Sequence, residues 1–136
     1  GYPDREAERQ LLGGADRRDM VATLRPCMEA GELIELQQAV REVHVSEALI
    51  AYVQALAEHT RHSPEYEIGL SPRAALALLR AARAWALIDH RDLVLPEDIQ
   101  AVLPAVAGHR LRPAGGAPAA AAADVATALV KAVPIP

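Results

Sequence analysis

GLSPRAALALLRAARAWALIDHR, residues 69–91, is the stretch around which the rest of the chain is organised. Ser71 followed by Pro72 marks a helix start. The hydroxyl can accept from an orphan N–H of the first turn, and proline's missing N–H costs nothing at the first helical position. Ala, Leu and Arg follow with a single Trp, and no Gly or Pro interrupts them, so propensity favours one unbroken helix. About 20 residues at 1.5 Å rise each give a rod roughly 30 Å long, enough to span a small domain. At about 100° per residue, Ala75, Leu78, Leu79, Ala82, Trp85 and Ala86 share one broad apolar face. Arg73, Arg80, Arg83 and Arg91 gather on the other side. The alanines allow close approach of neighbouring helices, and Trp85 is expected to be the largest plug in the core.

The composition agrees with that start. A chain of 136 residues fits one domain, able to bury roughly two thirds of its unfolded surface. Apolar residues make up 51%, yet aromatics only 3%, and Phe is absent. A core built from Leu, Val, Ile and Ala favours close helix packing over a sandwich. The net charge of −4 argues against a nucleic-acid module, which ordinarily carries a basic surplus. Cys27 is the one cysteine, so no internal disulfide forms and a reducing compartment fits. It is expected to be a small, semi-buried thiol rather than a nucleophile. The opening GYPDREAERQ is too charged for a signal peptide. No apolar run reaches about 18 residues, so no membrane helix is expected. The expected location is cytoplasmic, with neither nucleic acid nor membrane as partner.

Taken in order, Gly1-Tyr2-Pro3 reads as the middle of something longer. Asp4 then caps a short helix, DREAERQLL, which Gly13-Gly14 ends. Residues 15–30 are polar and broken by Pro26, with Gly31 just beyond, and read as a connection with one helical turn. A helix from about Glu32 to Glu42 presents Leu33, Leu36 and Val40 on one side. After the extended link Val43-His44-Val45, Ser46 caps EALIAYVQALAEHT, whose Leu49, Tyr52, Val53 and Leu56 form an i, i+3, i+4, i+7 stripe. Residues 61–70 read as a polar loop. Asp92-Leu93-Val94-Leu95 is too short to assign as a strand. Pro96, with Glu97 and Asp98 in the first turn where the helix dipole favours them, starts a further helix. It carries Ile99, Val102, Leu103 and Val106 inward until Gly108 stops it, with Pro104 placed to kink it. PAGGAPAAAAA, residues 113–123, is low in complexity and expected to be mobile. Asp124 to Ala132 reads as a last amphipathic turn or two. The fold class is all-α: a small bundle of four main helices plus short peripheral ones. The division runs 1–112 for the bundle and 113–136 for a linker with a short C-terminal helix.

Chemistry is sparse. The chain has no G-x-x-x-x-G-K-[ST], no G-x-G-x-x-G and no H-E-x-x-H. His59 and His62 stand three apart, a spacing two metal ligands can share, but no third ligand is evident and no metal is expected. Asp89, Asp92, Glu97 and Asp98 cluster near two helix ends, where capping and surface solvation account for them. Arg80 and Arg83 are assigned to salt bridges with neighbouring helices. Arg73 is different. It sits in the first turn of the long helix, where a rigid start aims its side chain outward and free N–H groups add positive potential. A guanidinium, always charged and donating in a planar fork, suits phosphate oxygens. From the residues alone two readings stay open, a phosphate-directed arginine and a solvated surface one.

The run GLSPRAALALLRAARAWALIDHRDLVLPEDIQAVLPAVAGHRL resembles the C-terminal lid of MoxR-family AAA+ ATPases, relatives of the magnesium-chelatase ATPase subunit. GYPDREAERQLL is similar to the family's passage from the nucleotide-binding α/β domain into the lid, and LQQAVREVHVSEALIAYVQALAEHTR to its middle lid helices. The likeness covers about residues 1–112. Its most specific parts are SPRA with LLRAARAWAL, and VLPEDI before a helix ending in GHRL. In such proteins the arginine of SPRA is the sensor-2 residue, so the resemblance implies that Arg73 touches the γ-phosphate of ATP. It further implies a hexameric ring in which the partners are the chain's own AAA+ core and neighbouring subunits. The family implies a chaperone-like motor, often acting on a partner with a von Willebrand factor A domain. The Walker segments, sensor 1 and arginine finger of that family lie upstream of the lid, and Mg²⁺ is held there. By itself the chain is therefore expected to contribute to ATP hydrolysis rather than to catalyse it. A free-standing helical adaptor, binding a protein partner in an apolar groove, is the competing reading.

Overall fold

The computed structural model describes residues 1–14, 16–114 and 122–135. Among them are seven helices and two short strands, an all-α protein as its composition implies. The chain divides into two compact units, Gly1–Leu33 and Ile34–Pro136. No helix among the described residues is long and apolar enough to cross a membrane.

The first unit holds α1 (Arg5–Gly13), α2 (Arg17–Thr23) and the start of α3 (Ala30–Glu42). The Asp4 carboxylate accepts from the Ala7 N–H at 2.8 Å, the cap that its position before a helical run predicts. Asp16 does the same for Arg18 at 2.9 Å. With that cap, residues 17–23 form two helical turns where one was expected. Leu12, Val21 and Leu24 are all exposed. Cys27 is an exposed free thiol, not the semi-buried one expected.

The core lies in the second unit, among α4 (Glu47–His62), α5 (Pro72–Ile88), α6 (Pro96–Ala107) and α7 (Ala122–Ala132). The first three of these helices start where a sequence signal places them. The Ser46 hydroxyl accepts from Leu49 N–H at 3.2 Å and the Ser71 hydroxyl from Ala74 N–H at 3.2 Å. Pro96 occupies the first helical position of α6. The α4 stripe of Leu49, Tyr52, Val53 and Leu56 is buried throughout. On α6, Ile99, Val102 and Leu103 are buried and Val106 partly so. α7 is part of this core: Val125, Ala126 and Leu129 are buried, packed on α6 and α4. The stretch read as mobile falls mostly outside the described residues. By contrast, α3 buries no side chain completely; Leu33 and Leu36 are exposed and Val40 only half-buried. The four helices that make the core are thus α4 to α7.

Trp85 is not the core plug: it is 49% exposed. The fully buried residues of α5 are Ala74, Leu78, Ala82 and Ala86, an i, i+4 row. Each step of such a row drifts about 40° round the helix, because four residues overshoot one turn. By the last turn the seam has reached Ala86, about 100° away from its neighbour Trp85. A straight-stripe projection misses that drift. The three small side chains in the row let α6 approach closely, and α5 packs on it more extensively than on any other element.

Two short pairings tie the connections down. β1 (Tyr66–Ile68) runs antiparallel to β2 (Arg112–Pro113), so the segment read as a polar loop contains a strand. His44 and Leu93 form an isolated parallel bridge, in which His44 N–H donates to Asp92 C=O at 2.7 Å and Val94 N–H to His44 C=O at 3.0 Å. That bridge fixes the link after α3 to the link before α6.

Candidate functional site

Arg73 stands exposed in the first turn of α5. Among the described residues its guanidinium has no hydrogen bond and no ion pair, so all of its donors are free. The Ser71 cap and Pro72 preorganise this turn. The path into it is fixed from behind by the end of α4. Leu70 is buried, and its N–H donates to the Thr60 hydroxyl at 2.9 Å. Its carbonyl accepts from Arg61 Nε at 2.7 Å. The Thr60 hydroxyl in turn donates to Ala57 C=O at 2.8 Å. A Cβ on Gly69 would lie 2.6 Å from the Thr60 carbonyl oxygen, so only glycine permits the chain to lie this close to α4. Beside this start, Pro72 and Leu76 of α5 face Val53, Ala57 and Arg61 of α4 across an open groove of ≈ 290 Å³. A stiff helix start that presents an unpaired, planar guanidinium fork is suited to an anion that offers it two oxygens, as phosphate does.

The other residues singled out by sequence go elsewhere. Arg80 is exposed and makes no ion pair among the described residues, and neither does Arg83, so the expected interhelical salt bridges are not formed. Arg83 instead donates to the carbonyl of Arg41 at 3.3 Å, in the last turn of α3 where carbonyls lack intrahelical partners. Arg91 lies beyond the end of α5 and is not on its polar face. It forms a two-pronged pair with Asp98, both contacts at 2.6 Å. Asp98 is therefore a buried ion-pair partner, not a solvated carboxylate. The Arg91 hydrogen bonds hold its carboxyl below the ordinary carboxylate range, and the same bonds raise the guanidinium above its own. His62 Nδ1 lies 2.9 Å from Glu58 C=O, while the His59 ring meets Tyr66 edge-on, centroids 6.5 Å apart. No group of three potential metal ligands occurs among the described residues. Burial of the Tyr66 hydroxyl, aided by Glu65, raises its pKa.

Thr60, Arg61 and Gly69 were not singled out by sequence. A side chain that bonds to backbone leaves no partner residue type to search for, and a lone glycine in a loop does not say what its backbone approaches.

The family model of the AAA lid domain matches residues 58–131, which takes in α7 as far as Lys131. The uncharacterized protein YeaC of Bacillus subtilis is 35% identical over 111 residues, covering 82% of this chain and 35% of that protein. Chaperone MoxR1 of Mycobacterium tuberculosis is 33% identical over 120 residues, covering 82% of this chain and 31% of that protein. A crystal structure of a candidate ATPase from Cytophaga hutchinsonii superposes with a TM-score of 0.76 at 26% identity, over 100% of this chain and 44% of that one. The chain belongs to the AAA lid domain family, as a lid of the MoxR type. It spans about a third of the length of the curated relatives it matches.

Proposed function

We propose that this chain is the helical lid of a longer MoxR-type ATPase and that Arg73 is its sensor-2 arginine. The observation that carries this is the exposed, unpaired guanidinium on a helix start that is itself pinned to α4. ATP brings a γ-phosphoryl group on which charge redistributes during transfer, and a fixed guanidinium near its oxygens stabilises that charge. Arg73 therefore couples nucleotide state to the lid: with the phosphate in place the lid is held against the nucleotide, and after hydrolysis it is released. The nucleotide-binding core supplies the phosphate loop and the Mg²⁺ site. Neighbouring subunits complete a hexameric ring, and the motor remodels a client in a chaperone-like way, a von Willebrand factor A domain protein being the partner class that family resemblance suggests. The competing reading, a free-standing helical adaptor, draws on Leu76, Trp85 and Ile88, large apolar side chains exposed on α5. A nucleotide-binding core packed on the lid accounts for the same surface.

The deciding experiment is steady-state ATP turnover by the full-length protein carrying Arg73→Ala. A loss of about tenfold or more, with the fold intact by circular dichroism, is expected from the scale of charge-stabilising arginines. Wild-type turnover in that variant removes the sensor role and moves the adaptor reading ahead.

A further inference from the structure

We infer that Thr60 and Arg61 are positioning residues for Arg73, an inference that rests on the sensor reading above. Leu70 stands three residues before Arg73, and both of its backbone polar groups are claimed by these two neighbours at the end of α4. Its N–H goes to the Thr60 hydroxyl and its C=O to Arg61 Nε. The start of α5 needs neither bond for its own sake: Ser71 already caps the first turn, and Pro72 has no N–H to satisfy. What the two bonds add is location. They fix where α5 begins relative to α4, and the Gly69 approach to the Thr60 carbonyl leaves the chain no room to slide closer. Thr60 is buried and tied back to Ala57, so the anchor is itself stiff. Arg61 is exposed overall and spends its Nε on a backbone carbonyl rather than on a carboxylate. A surface side chain used in this way contributes little to stability. Its value lies in geometry, since a group misplaced by about 1 Å at a reacting centre can lose 10²-fold in rate.

The test uses the full-length ATPase. Arg61→Met keeps an unbranched apolar stem as far as the Nε position and removes every donor. It is expected to fold normally, to lower turnover at saturating ATP roughly fivefold or more, and to leave KM for ATP within about twofold. Thr60→Ser keeps the hydroxyl and should turn over near the wild-type rate, whereas Thr60→Val should fall as Arg61→Met does. The decisive comparison is in the Arg73→Ala background, where Arg61→Met should cause no further loss, because the group it positions is gone. A general structural role would subtract equally in both backgrounds and overturn the inference. Wild-type turnover by Arg61→Met beside an impaired Arg73→Ala would also overturn it while the sensor reading stands. An unimpaired Arg73→Ala sinks both. Should Thr60→Val fail to fold, Arg61→Met carries the decision alone.

Discussion

Arg91 and Asp98 meet through two parallel hydrogen bonds, each 2.6 Å long. They join the end of α5 to the first turn of α6, and the two side chains are 26% and 3% exposed. The same carboxylate accepts from Leu95 N–H at 2.8 Å, so Asp98 serves at once as ion-pair partner and as cap of the α6 start. Arg91 reaches further to Asp89 at 3.1 Å and to the Leu93 carbonyl at 3.3 Å. One guanidinium thus gathers the whole α5–α6 junction, the segment that orients the helix carrying Arg73.

Asp98→Asn should destabilise the chain by about 2 kcal/mol at neutral pH, the scale of hydrogen bonds to a charged group discounted for Arg91's access to water. The loss should depend on pH in a definite direction. Pairing lowers the folded-state pKa of Asp98 below its ordinary value of 3.8. Its contribution is therefore complete well above that value and disappears as pH falls through the lower, folded-state pKa. Urea unfolding of wild type and Asp98→Asn should show the gap between them at pH 7 shrinking below about pH 4. A gap of constant size down to pH 2 would show that the carboxylate's charge is not what stabilises the junction.

Trp85 and Leu78 lie on the same helix with opposite fates, 49% and 1% exposed. Leu78→Ala should cost about 2–5 kcal/mol, the range for emptying a close-packed site. Trp85→Ala should cost less, about 1–2 kcal/mol, since half of its surface is already in water. Trp85 is the chain's one tryptophan, so its fluorescence reports this directly: acrylamide should quench it readily in the folded chain. A strongly protected emission, or a Trp85→Ala melting temperature as low as that of Leu78→Ala, contradicts the outward placement.

His90 holds a left-handed backbone, φ 56°, immediately after α5. Arg91 N–H bonds back to Ala86 C=O at 2.9 Å and His90 N–H to Leu87 C=O at 3.0 Å, the paired 6→1 and 5→2 bonds of a Schellman ending. A side chain in that conformation costs about 1–2 kcal/mol that glycine avoids, partly offset by glycine's larger loss of backbone freedom. His90→Gly should therefore raise stability by about 0.5–1 kcal/mol. Thermal melting read by circular dichroism checks the sign, and a fall in melting temperature refutes it.

What the sequence displays and what it hides follow from the range of the interaction. Asp4, Ser46, Ser71 and Pro96 announce helix starts because a cap acts within three or four residues. The Leu49, Tyr52, Val53, Leu56 stripe is equally legible, since a single helix bears the whole pattern. The SPRA segment marked Arg73, but only family resemblance gave it a role. Trp85 was misplaced because the burial seam follows the partner helix rather than a straight line. The Arg91–Asp98 pair is local in sequence, yet charges on either side of a helix break look like ordinary surface, and burial is decided by the α5–α6 packing. β1 escaped because three residues carry no period and their partner strand lies far along the chain. The burial of α7 was hidden by an alanine-rich approach that resembles a linker.

Arg73 is the residue on which stability and activity should separate. It is exposed and unpaired among the described residues, so Arg73→Ala should leave unfolding free energy within about 0.5 kcal/mol of wild type. On the sensor role proposed above, the same change in the full-length protein removes a fixed positive charge beside the phosphoryl group being transferred. Arginine fingers in that position can be worth about 10³–10⁵ in rate, and a sensor arginine, which shares the charge with Mg²⁺ and the phosphate loop, should lose less but at least about tenfold. Hydrolysis should suffer more than ATP binding, because a contact that tightens only as charge develops lowers kcat rather than raising KM. Arg73→Lys should recover little, since an ammonium is a point donor and cannot reproduce the planar fork. Arg80→Ala is the control: Arg80 is also exposed on α5, two turns further from the helix start, and its loss should leave turnover nearly unchanged. Equal losses in Arg73→Ala and Arg80→Ala would point to a general electrostatic effect of the α5 face. A loss confined to Arg73, unrelieved by lysine and invisible in the unfolding curve, is the signature of a guanidinium that acts on phosphate.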